Sequence, residues 1–349
     1  MEFTFLSRPE ELSTLLSTWT ALGITSIAMD FEEESNLHCY GEHVCTIQLY
    51  DKKHYYIVDA IELAKSEVGI SAMKALLEGP LEKIMFACQS DAALARKALD
   101  IQLKNIFDVR VIAIELGFNG NLTALIERNL GIKTEDGSKK KKYQTANWMK
   151  RPIPEQQIEY ALSDVQYLFD LKDSLVKEME STLTKSQQGK VAHEMKTCAV
   201  QKRPERPGWE KICNCKLLNA EERIYIKHFF LARDGLARKA NVPASRILDK
   251  HLIVAMAKKG TWEGILAEDK MCYESVSSKL SIVNRQNSDR LQHHTSEVLS
   301  VCLRSSKKGS SSCADALDGL PTYNSHMSTR TQETKYPTPF LEIALPTPV

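Results

Sequence analysis

The chain contains 349 residues, with 46 Lys and Arg against 45 Asp and Glu, so its formal net charge is only +1. This length is sufficient for one or two packed domains together with unpacked sequence. The balanced charge excludes a uniformly basic nucleic-acid-binding protein, and any basic surface must therefore be local.

The cysteine pattern and the hydropathy pattern exclude two further classes. Nine cysteines show no metal-ligand spacing, since Cys213 and Cys215 are one residue apart and no His pair lies near them. Scattered cysteines favour a reduced compartment. The N-terminus lacks a basic segment followed by an apolar run, and no stretch approaches the roughly 18 apolar residues of a membrane span. We therefore expect a soluble, cytoplasmic protein.

Strand and helix patterns alternate over residues 1–175. The first strand is predicted at Phe3–Leu6, and the first helix from Pro9 to about Thr20. Four further strands are predicted at Ile24–Glu32, Val44–Leu49, His54–Val58 and Lys83–Cys88. Helical periodicity dominates from Asp91 to about Leu175, and the longest helix is predicted from Pro154 to beyond Leu171. This order predicts an α/β fold with a mixed sheet, an antiparallel hairpin and flanking helices.

The pattern changes after about residue 185. Residues 186–207 are polar and charged, which indicates a linker, and residues 208–275 are helical in pattern. Helices are predicted there at Ala220–Ala232, Pro243–Leu248 and His251–Ala257. Residues 276–349 are rich in Ser and Thr and lack apolar periodicity, so we expect a low-complexity, disordered tail. No Gly-rich phosphate loop follows any predicted strand, which argues against P-loop and dinucleotide-binding folds.

An acidic pair on the first long strand is a candidate metal site. Asp30 and Glu32 lie two residues apart, and the period of a strand puts both side chains on one face. Divalent cations such as Mg²⁺ prefer hard oxygen ligands of this kind. Taken alone, however, the run Glu32–Glu34 is more typical of a solvated strand end.

Two later stretches offer further acids. Asp91 follows a predicted strand and opens a helix, where an acid alone is more typical of a favourable helix N-terminus. Tyr160 and Asp164 lie four residues apart, on one face of the longest helix, although a core Tyr and a solvated Asp are the commoner interpretation. The ordered combination of all three stretches rarely recurs by chance and favours a shared site.

This ordered set resembles the DEDD exonuclease superfamily, in its tyrosine-containing subclass, and within it ribonuclease D. The resemblance covers roughly residues 3–175. It is carried by Ile27–Glu32, Cys45–Leu49, Cys88–Asp91, Asn105–Asp108, Gln144–Trp148, Arg151-Pro152 and Tyr160–Leu168. Phe230–Asp234 and Asn241–Leu248 resemble the helicase-and-ribonuclease-D C-terminal (HRDC) domain, a small helical bundle implicated in nucleic-acid binding.

The resemblance implies a ribonuclease H-like 3′→5′ exonuclease domain over residues 1–185 and an HRDC-like domain over residues 208–275. It also implies hydrolysis of 3′-terminal phosphodiesters by two metal ions, with release of nucleoside 5′-monophosphates. The ligands of two Mg²⁺ or Mn²⁺ ions would be Asp30, Glu32, Asp91 and Asp164. Tyr160 would orient the attacking water.

Partners follow from the same resemblance. We expect RNA 3′ ends as substrate, such as tRNA precursors or other structured RNA, without a membrane or a small-molecule cofactor, and a monomeric protein. Candidates for nucleic-acid binding are Lys142, Gln144, Trp148, Arg151, Arg233 and Arg246. Phosphate contacts are expected from Lys142, at the end of a four-lysine run, and from the two arginines of the helical module, Arg233 and Arg246. A DNA exonuclease and a non-catalytic nucleic-acid-binding protein that retains the fold are the alternatives.

Overall fold

A computed structural model describes residues 2–133, 142–200, 205–213 and 218–259. The strands are β1 (Phe3–Leu6), β2 (Ser26–Ser35), β3 (Glu42–Tyr50), β4 (Tyr55–Asp59), β5 (Glu82–Met85) and β6 (Ile106–Asp108). The helices are α1 (Pro9–Ala21), α2 (Ala60–Leu63), α3 (Glu67–Glu78), α4 (Gln89–Leu99), α5 (Val109–Glu115), α6 (Leu122–Leu130), α7 (Glu155–Gln166), α8 (Leu168–Thr182), α9 (Lys185–Thr197), α10 (Gly208–Ile212), α11 (Ala220–Ala240), α12 (Ala244–Ile247) and α13 (Lys250–Lys259). Within these four ranges, no helix has both the length and the apolar character that a membrane crossing requires.

One six-stranded sheet forms the centre of the larger domain, in the order β1-β4-β3-β2-β5-β6. β2, β3 and β4 are antiparallel neighbours. The outer pairs β1–β4, β2–β5 and β5–β6 are parallel. The predicted mixed sheet with an antiparallel hairpin is thereby confirmed.

Alternation along β2 divides its side chains between the two faces of the sheet. Ile27, Met29 and Phe31 belong to the core that α1, α3 and α4 cover. Ala28 belongs to the opposite core, formed with α5, α6 and α8. Asp30 and Glu32 therefore fall on the Ala28 face, where α7 also packs against β2.

Two details of the predicted secondary structure were wrong. The fifth predicted strand extended to Cys88, but β5 ends at Met85, and a turn with Ala87 at a φ of 60° leads into α4. The helix predicted from Pro154 past Leu171 is broken at Tyr167 into α7 and α8. Since residues 155–171 contain neither Pro nor Gly, we attribute the break to packing: α7 lies on β2 and β3, whereas α8 lies on α5, α6 and β5.

The predicted linker begins too early. Residues 185–197 form α9, whose Val191 is buried in the same core as α5 and α8. Cys198 and Ala199 are buried in the core on the other face of the sheet. The apolar positions of this helix are few, which is why its sequence looks like a linker, but its packing extends the larger domain to about residue 200.

A second, smaller core unites α10 to α13 and contains Ile226, Phe229 and Ile253. Tyr40, from the connection between β2 and β3, packs against this core, and its hydroxyl donates a hydrogen bond to Asp234 at 2.8 Å. The helical module thus contacts the loop that follows the strand carrying the acidic pair. Residues 260–275 of the predicted helical domain and the predicted tail, 276–349, lie outside the described residues.

Candidate active site

Three carboxylates converge between β2 and α7. One oxygen each from Asp30, Glu32 and Asp164 lies within 4.8 Å of the other two. The pleat of β2 presents the first two, and the helical period of α7 brings the third over the same face of the sheet. The structure therefore unites the D-x-E pair with the late Asp, as the sequence predicted.

The acidic run of β2 is not a solvated strand end. Glu32 is 8% exposed and Glu34 is fully buried. A bulge between Glu32 and Glu33 shifts the register with β3, so that the side chains of consecutive acids lie in different environments. Glu34 accepts hydrogen bonds from the backbone amides of Leu37 and His38, which fixes the loop beyond the strand.

Asp91 lies in the first turn of α4, directly after the left-handed turn at Ala87. The buried carboxylate of Asp108, at the end of β6, holds this turn. It accepts hydrogen bonds from the backbone amides of Ala87, Cys88 and Arg110, each at 2.9 Å. A non-glycine residue at positive φ is strained, and these bonds offset that strain at the point where the chain must turn to present Asp91.

Burial and mutual repulsion dominate the electrostatics of the group. Desolvation, followed by the charges of Asp30, Asp164 and Asp91, raises the pKa of Glu32 well above its ordinary value. Desolvation, followed by the charges of Glu33 and Asp108, raises the pKa of Asp91 to about 7. Asp91 is therefore close enough to act on Glu32, although it lies outside the tight group of three oxygens.

Tyr160 stands beside these acids on α7. Desolvation and then the charge of Asp164 raise its pKa above that of an ordinary Tyr, and the two side chains are hydrogen-bonded. Its ring centroid lies 5.6 Å from that of Tyr143 and 6.3 Å from that of Trp148. This aromatic packing holds the hydroxyl next to the carboxylates.

The donor set fits hard divalent cations. Three carboxylates, one of them buried and two partly exposed, lie close together, and the charges that act on Glu32 are themselves those of acids. Mg²⁺ and Mn²⁺ take oxygen ligands and would neutralise this repulsion. Asp30, Glu32 and Asp164 could hold one such ion, with Asp91 beside them.

Two residues expected to contact nucleic acid have internal partners instead. Trp148 is 1% exposed and donates its indole N–H to the carbonyl of Tyr143. The Arg151 guanidinium donates two hydrogen bonds, each of 2.7 Å, to the carboxylate of Asp59 on β4. Both residues were thus misread as ligand contacts, since in this structure they pack the loop before α7 against the sheet.

The two candidate arginines of the helical module differ in their exposure to solvent. Arg233 is 8% exposed and donates to the carbonyl of Leu248, so its prediction as a phosphate contact does not fit its buried position. Arg246, on α12, is exposed. Lys142 and Gln144 are exposed as well, and the Lys142 ammonium lies 5.5 Å from the ring centre of Tyr143. Lysines 139–141 of the basic run lie outside the described residues.

The sequence analysis missed the polar residues of β3 and β6. Gln48 lies opposite Asp30 in the sheet, is fully buried, and donates to the hydroxyl of Thr46. Within the described ranges its side-chain oxygen has no hydrogen-bond partner. Period-two alternation could have put Thr46 and Gln48 on the face of the acids. In the sequence, Asp108 is only part of a family motif. Its hydrogen bonds hold the turn at Ala87, which the sequence did not predict.

Comparison with known proteins gives one family match. Residues 4–180, just over half of the chain, match the family model described as 3′-5′ exonuclease. This segment contains every carboxylate of the candidate site and Tyr160.

Individual relatives agree with this match. Ribonuclease D of Haemophilus influenzae is 29% identical over 161 residues, which cover 45% of this chain and 38% of that protein. The catalytic core of RRP6 from Trypanosoma brucei superposes with a TM-score of 0.63 at 21% identity, covering 86% of this chain and 80% of that one. RNase D of Escherichia coli superposes with a TM-score of 0.58 at 20% identity, covering 85% and 75%. At these identities, the two structural matches show a shared fold.

The raised carboxyl pKa values predict a linked dependence on pH and cations. Because the pKa of Asp91 is about 7 in the folded protein and about 3.9 in an unfolded chain, the folded state binds the extra proton between these values. Without cations, stability should therefore fall as the pH rises from about 4 to about 7. Saturating Mg²⁺ or Mn²⁺ should raise the melting temperature by on the order of 5 °C at pH 8, and by much less at pH 5.

Thermal unfolding in EDTA and in each metal, at both pH values, measures this effect. The control is Asp164→Asn, in which the metal-induced shift at pH 8 should largely disappear. Equal shifts in the variant and the original protein would show that the cations bind elsewhere.

The structural role of Arg151 predicts a stability defect. Arg151→Ala would leave the buried carboxylate of Asp59 without its partner, and we expect a loss of about 3 kcal/mol in the free energy of unfolding. Arg8→Ala removes an exposed pair with Glu11 and should cost less than about 1 kcal/mol. Urea denaturation of both variants tests the comparison, and similar losses would argue against a structural role for Arg151.

Proposed function

Because the chain belongs to the 3′-5′ exonuclease family, we propose that it hydrolyses RNA from the 3′ end and releases nucleoside 5′-monophosphates. The observation that carries this proposal is the convergence of the buried Glu32 with the partly exposed Asp30 and Asp164, whose carboxylate oxygens lie within 4.8 Å of one another. Asp91 and Tyr160 adjoin the same group. These five residues are the ones that the resemblance to the tyrosine subclass of DEDD exonucleases assigns to the site, which supports the proposal.

RNA is the preferred substrate because a relative in sequence is ribonuclease D. The Escherichia coli structural neighbour is described as an exoribonuclease involved in structured RNA processing. We extend this to the present chain as a proposal that it trims the 3′ ends of structured RNA, such as tRNA precursors, as a monomer. A cytoplasmic location belongs to the same proposal and depends on the scattered free cysteines.

Asp30, Glu32, Asp91 and Asp164 would hold two Mg²⁺ or Mn²⁺ ions. When bound, such ions lower the pKa of water and stabilise charge on the leaving 3′ oxygen. The chain's contribution is to fix the carboxylates before substrate arrives: the pleat of β2 sets Asp30 and Glu32, and the Asp108 clamp sets the turn before Asp91. Such preorganisation limits the reorganisation needed during the reaction.

Tyr160 would position the attacking water. Burial and the adjacent carboxylate raise the pKa of its hydroxyl, so this group retains its proton at neutral pH. It therefore acts as a hydrogen-bonding group that orients the water and does not itself remove the proton. The rings of Tyr143 and Trp148 restrict the motion of the Tyr160 side chain.

Substitution of the site residues tests the activity. Asp30→Asn should lower the rate of RNA degradation by at least about 1,000-fold, since a charged ligand is lost, and Tyr160→Phe by roughly 10- to 100-fold. End-labelled RNA, incubated with Mg²⁺, Mn²⁺ or EDTA, should yield a ladder of one-nucleotide steps from the 3′ end only with metal. Arg8→Ala, at an exposed position, serves as the control.

Substrate choice is measured in the same assay with DNA of identical sequence. Faster degradation of DNA would replace the proposed exoribonuclease with a DNA exonuclease. Tight RNA binding with no product in any metal, and with no effect of Asp30→Asn, would identify a non-catalytic binding protein.

We further propose that Lys142, Gln144 and the HRDC-like module guide the RNA backbone. Lys142 and Gln144 are exposed on either side of Tyr143, and Arg246 is exposed on α12. Contacts of this type recognise phosphates and carry no base specificity. Tyr40, in the loop that follows β2, contacts α11 and so places the module next to the domain that carries the acids, which supports a continuous path for the strand of RNA.

Arg246→Ala should weaken RNA binding a few-fold and lower the slope of log affinity against log salt by about 0.7 to 0.9, as expected for one phosphate contact. Lys74→Ala, on the exposed side of α3, is the matched control and should leave the slope unchanged. Fluorescence anisotropy in Ca²⁺ at several salt concentrations measures both. An unaltered slope for Arg246→Ala would remove this residue from the proposed path.

A further inference from the structure

A pair of buried thiols lies beneath the turn that leads to Asp91. Cys88 is the last residue before α4, and Cys198 directly follows α9. Both belong to the core on one face of the sheet, with exposures of 0% and 4%. Their sulfur atoms lie within 4.8 Å of each other, and the two thiols are hydrogen-bonded.

A metal ion is the first alternative for this group, because Asp108 completes a set of three possible ligands. However, the oxygens of Asp108 already accept three backbone hydrogen bonds. A structural zinc ion takes four ligands. In the part of the chain that the structure describes, no fourth His, Cys, Asp or Glu joins the three. The arrangement therefore favours chemistry between the two sulfurs.

We propose that Cys88 and Cys198 form a reversible disulfide that fastens the end of α9 to the turn preceding Asp91. The two sulfurs, which lie within 4.8 Å of each other, would approach to the bonding distance of about 2.05 Å. This pairing does not depend on the proposed nuclease activity.

Cys198 is the first thiol to react. The hydrogen bond from Cys88 lowers the pKa of Cys198, whereas the pKa of Cys88 is raised. With a peroxide as oxidant, the Cys198 thiolate attacks one peroxide oxygen, breaks the O–O bond and becomes a sulfenic acid while one water is released. The Cys88 sulfur then attacks the sulfenic sulfur, the S–S bond forms, and a second water leaves. Each sulfur loses one electron, and hydrogen peroxide gains two.

The bond would have a specific structural effect. It would link two segments separated by on the order of 100 residues, which restricts the unfolded chain strongly. It would also hold the left-handed turn at Ala87 covalently, in addition to the hydrogen bonds from Asp108. Disulfides in cytosolic proteins are usually transient and are often catalytic or redox-sensing.

The test uses the full-length, reduced protein incubated with hydrogen peroxide. Free thiols are then blocked with iodoacetamide, and tryptic peptides are analysed by mass spectrometry. We expect a peptide pair joined through Cys88 and Cys198 that dithiothreitol separates, and a melting temperature higher by on the order of 10 °C in the oxidised protein. Cys45→Ser, which removes a buried thiol from a different core, should retain both results. Cys88→Ser and Cys198→Ser should abolish them.

Peptide mapping of the original protein decides the outcome even if these variants do not fold. The proposal fails if Cys88 and Cys198 are both recovered as alkylated thiols under conditions that oxidise the more exposed Cys39. Stoichiometric zinc in the purified protein, lost in Cys88→Ser, would overturn it in favour of a metal site. Loss of RNA cleavage in Asp30→Asn tests the nuclease separately and is unaffected by either result.

Discussion

The repulsion between carboxylates that converge on the buried Glu32 is the constraint on which the rest of this structure depends. Glu32 is desolvated and faces Asp30, Asp164 and Asp91, so the group opposes its own assembly when ionised. The scaffold overcomes this repulsion with rigid elements that are stabilised elsewhere: a central strand of the sheet, a helix packed on that strand, and a turn clamped by Asp108. Because bound cations would neutralise the repulsion between these carboxylates, the site favours cation binding.

One helix serves both the core and the site. The apolar side of α7 is buried through Ala161, Leu162 and Val165, which anchor the helix to the sheet. Tyr160 and Asp164 lie next to this apolar face, so the packing that anchors the helix also fixes their positions. The ion pair between Arg151 and Asp59 holds the loop before α7 against the sheet, and the ring of Trp148 packs against that of Tyr160. Residues that resemble substrate contacts in the sequence thus stabilise the position of Tyr160.

Much of the fold was predictable because its signals are local. The antiparallel hairpin, the mixed sheet and the first helix follow from alternation, apolar periodicity and Pro at a helix start. β6 was not predicted because it spans only Ile106–Asp108 and obtains its hydrogen bonds from β5. The break at Tyr167 and the packing of α9 were missed for a related reason. In each case, the deciding contacts come from distant segments, and no local residue marks them.

The amino-acid sequence by itself determined which side chains could form the site: two acids on one face of a strand, an acid at a helix start, and a Tyr and an Asp one helical turn apart. Only the tertiary structure decided that Asp30, Glu32 and Asp164 meet within 4.8 Å. It also decided that the acidic run is buried, that Arg151 and Arg233 have internal partners, and that Cys88 reaches Cys198. Periodicity fixes the direction of a side chain relative to its own element, whereas burial, charge coupling and distance arise only when separate elements pack together.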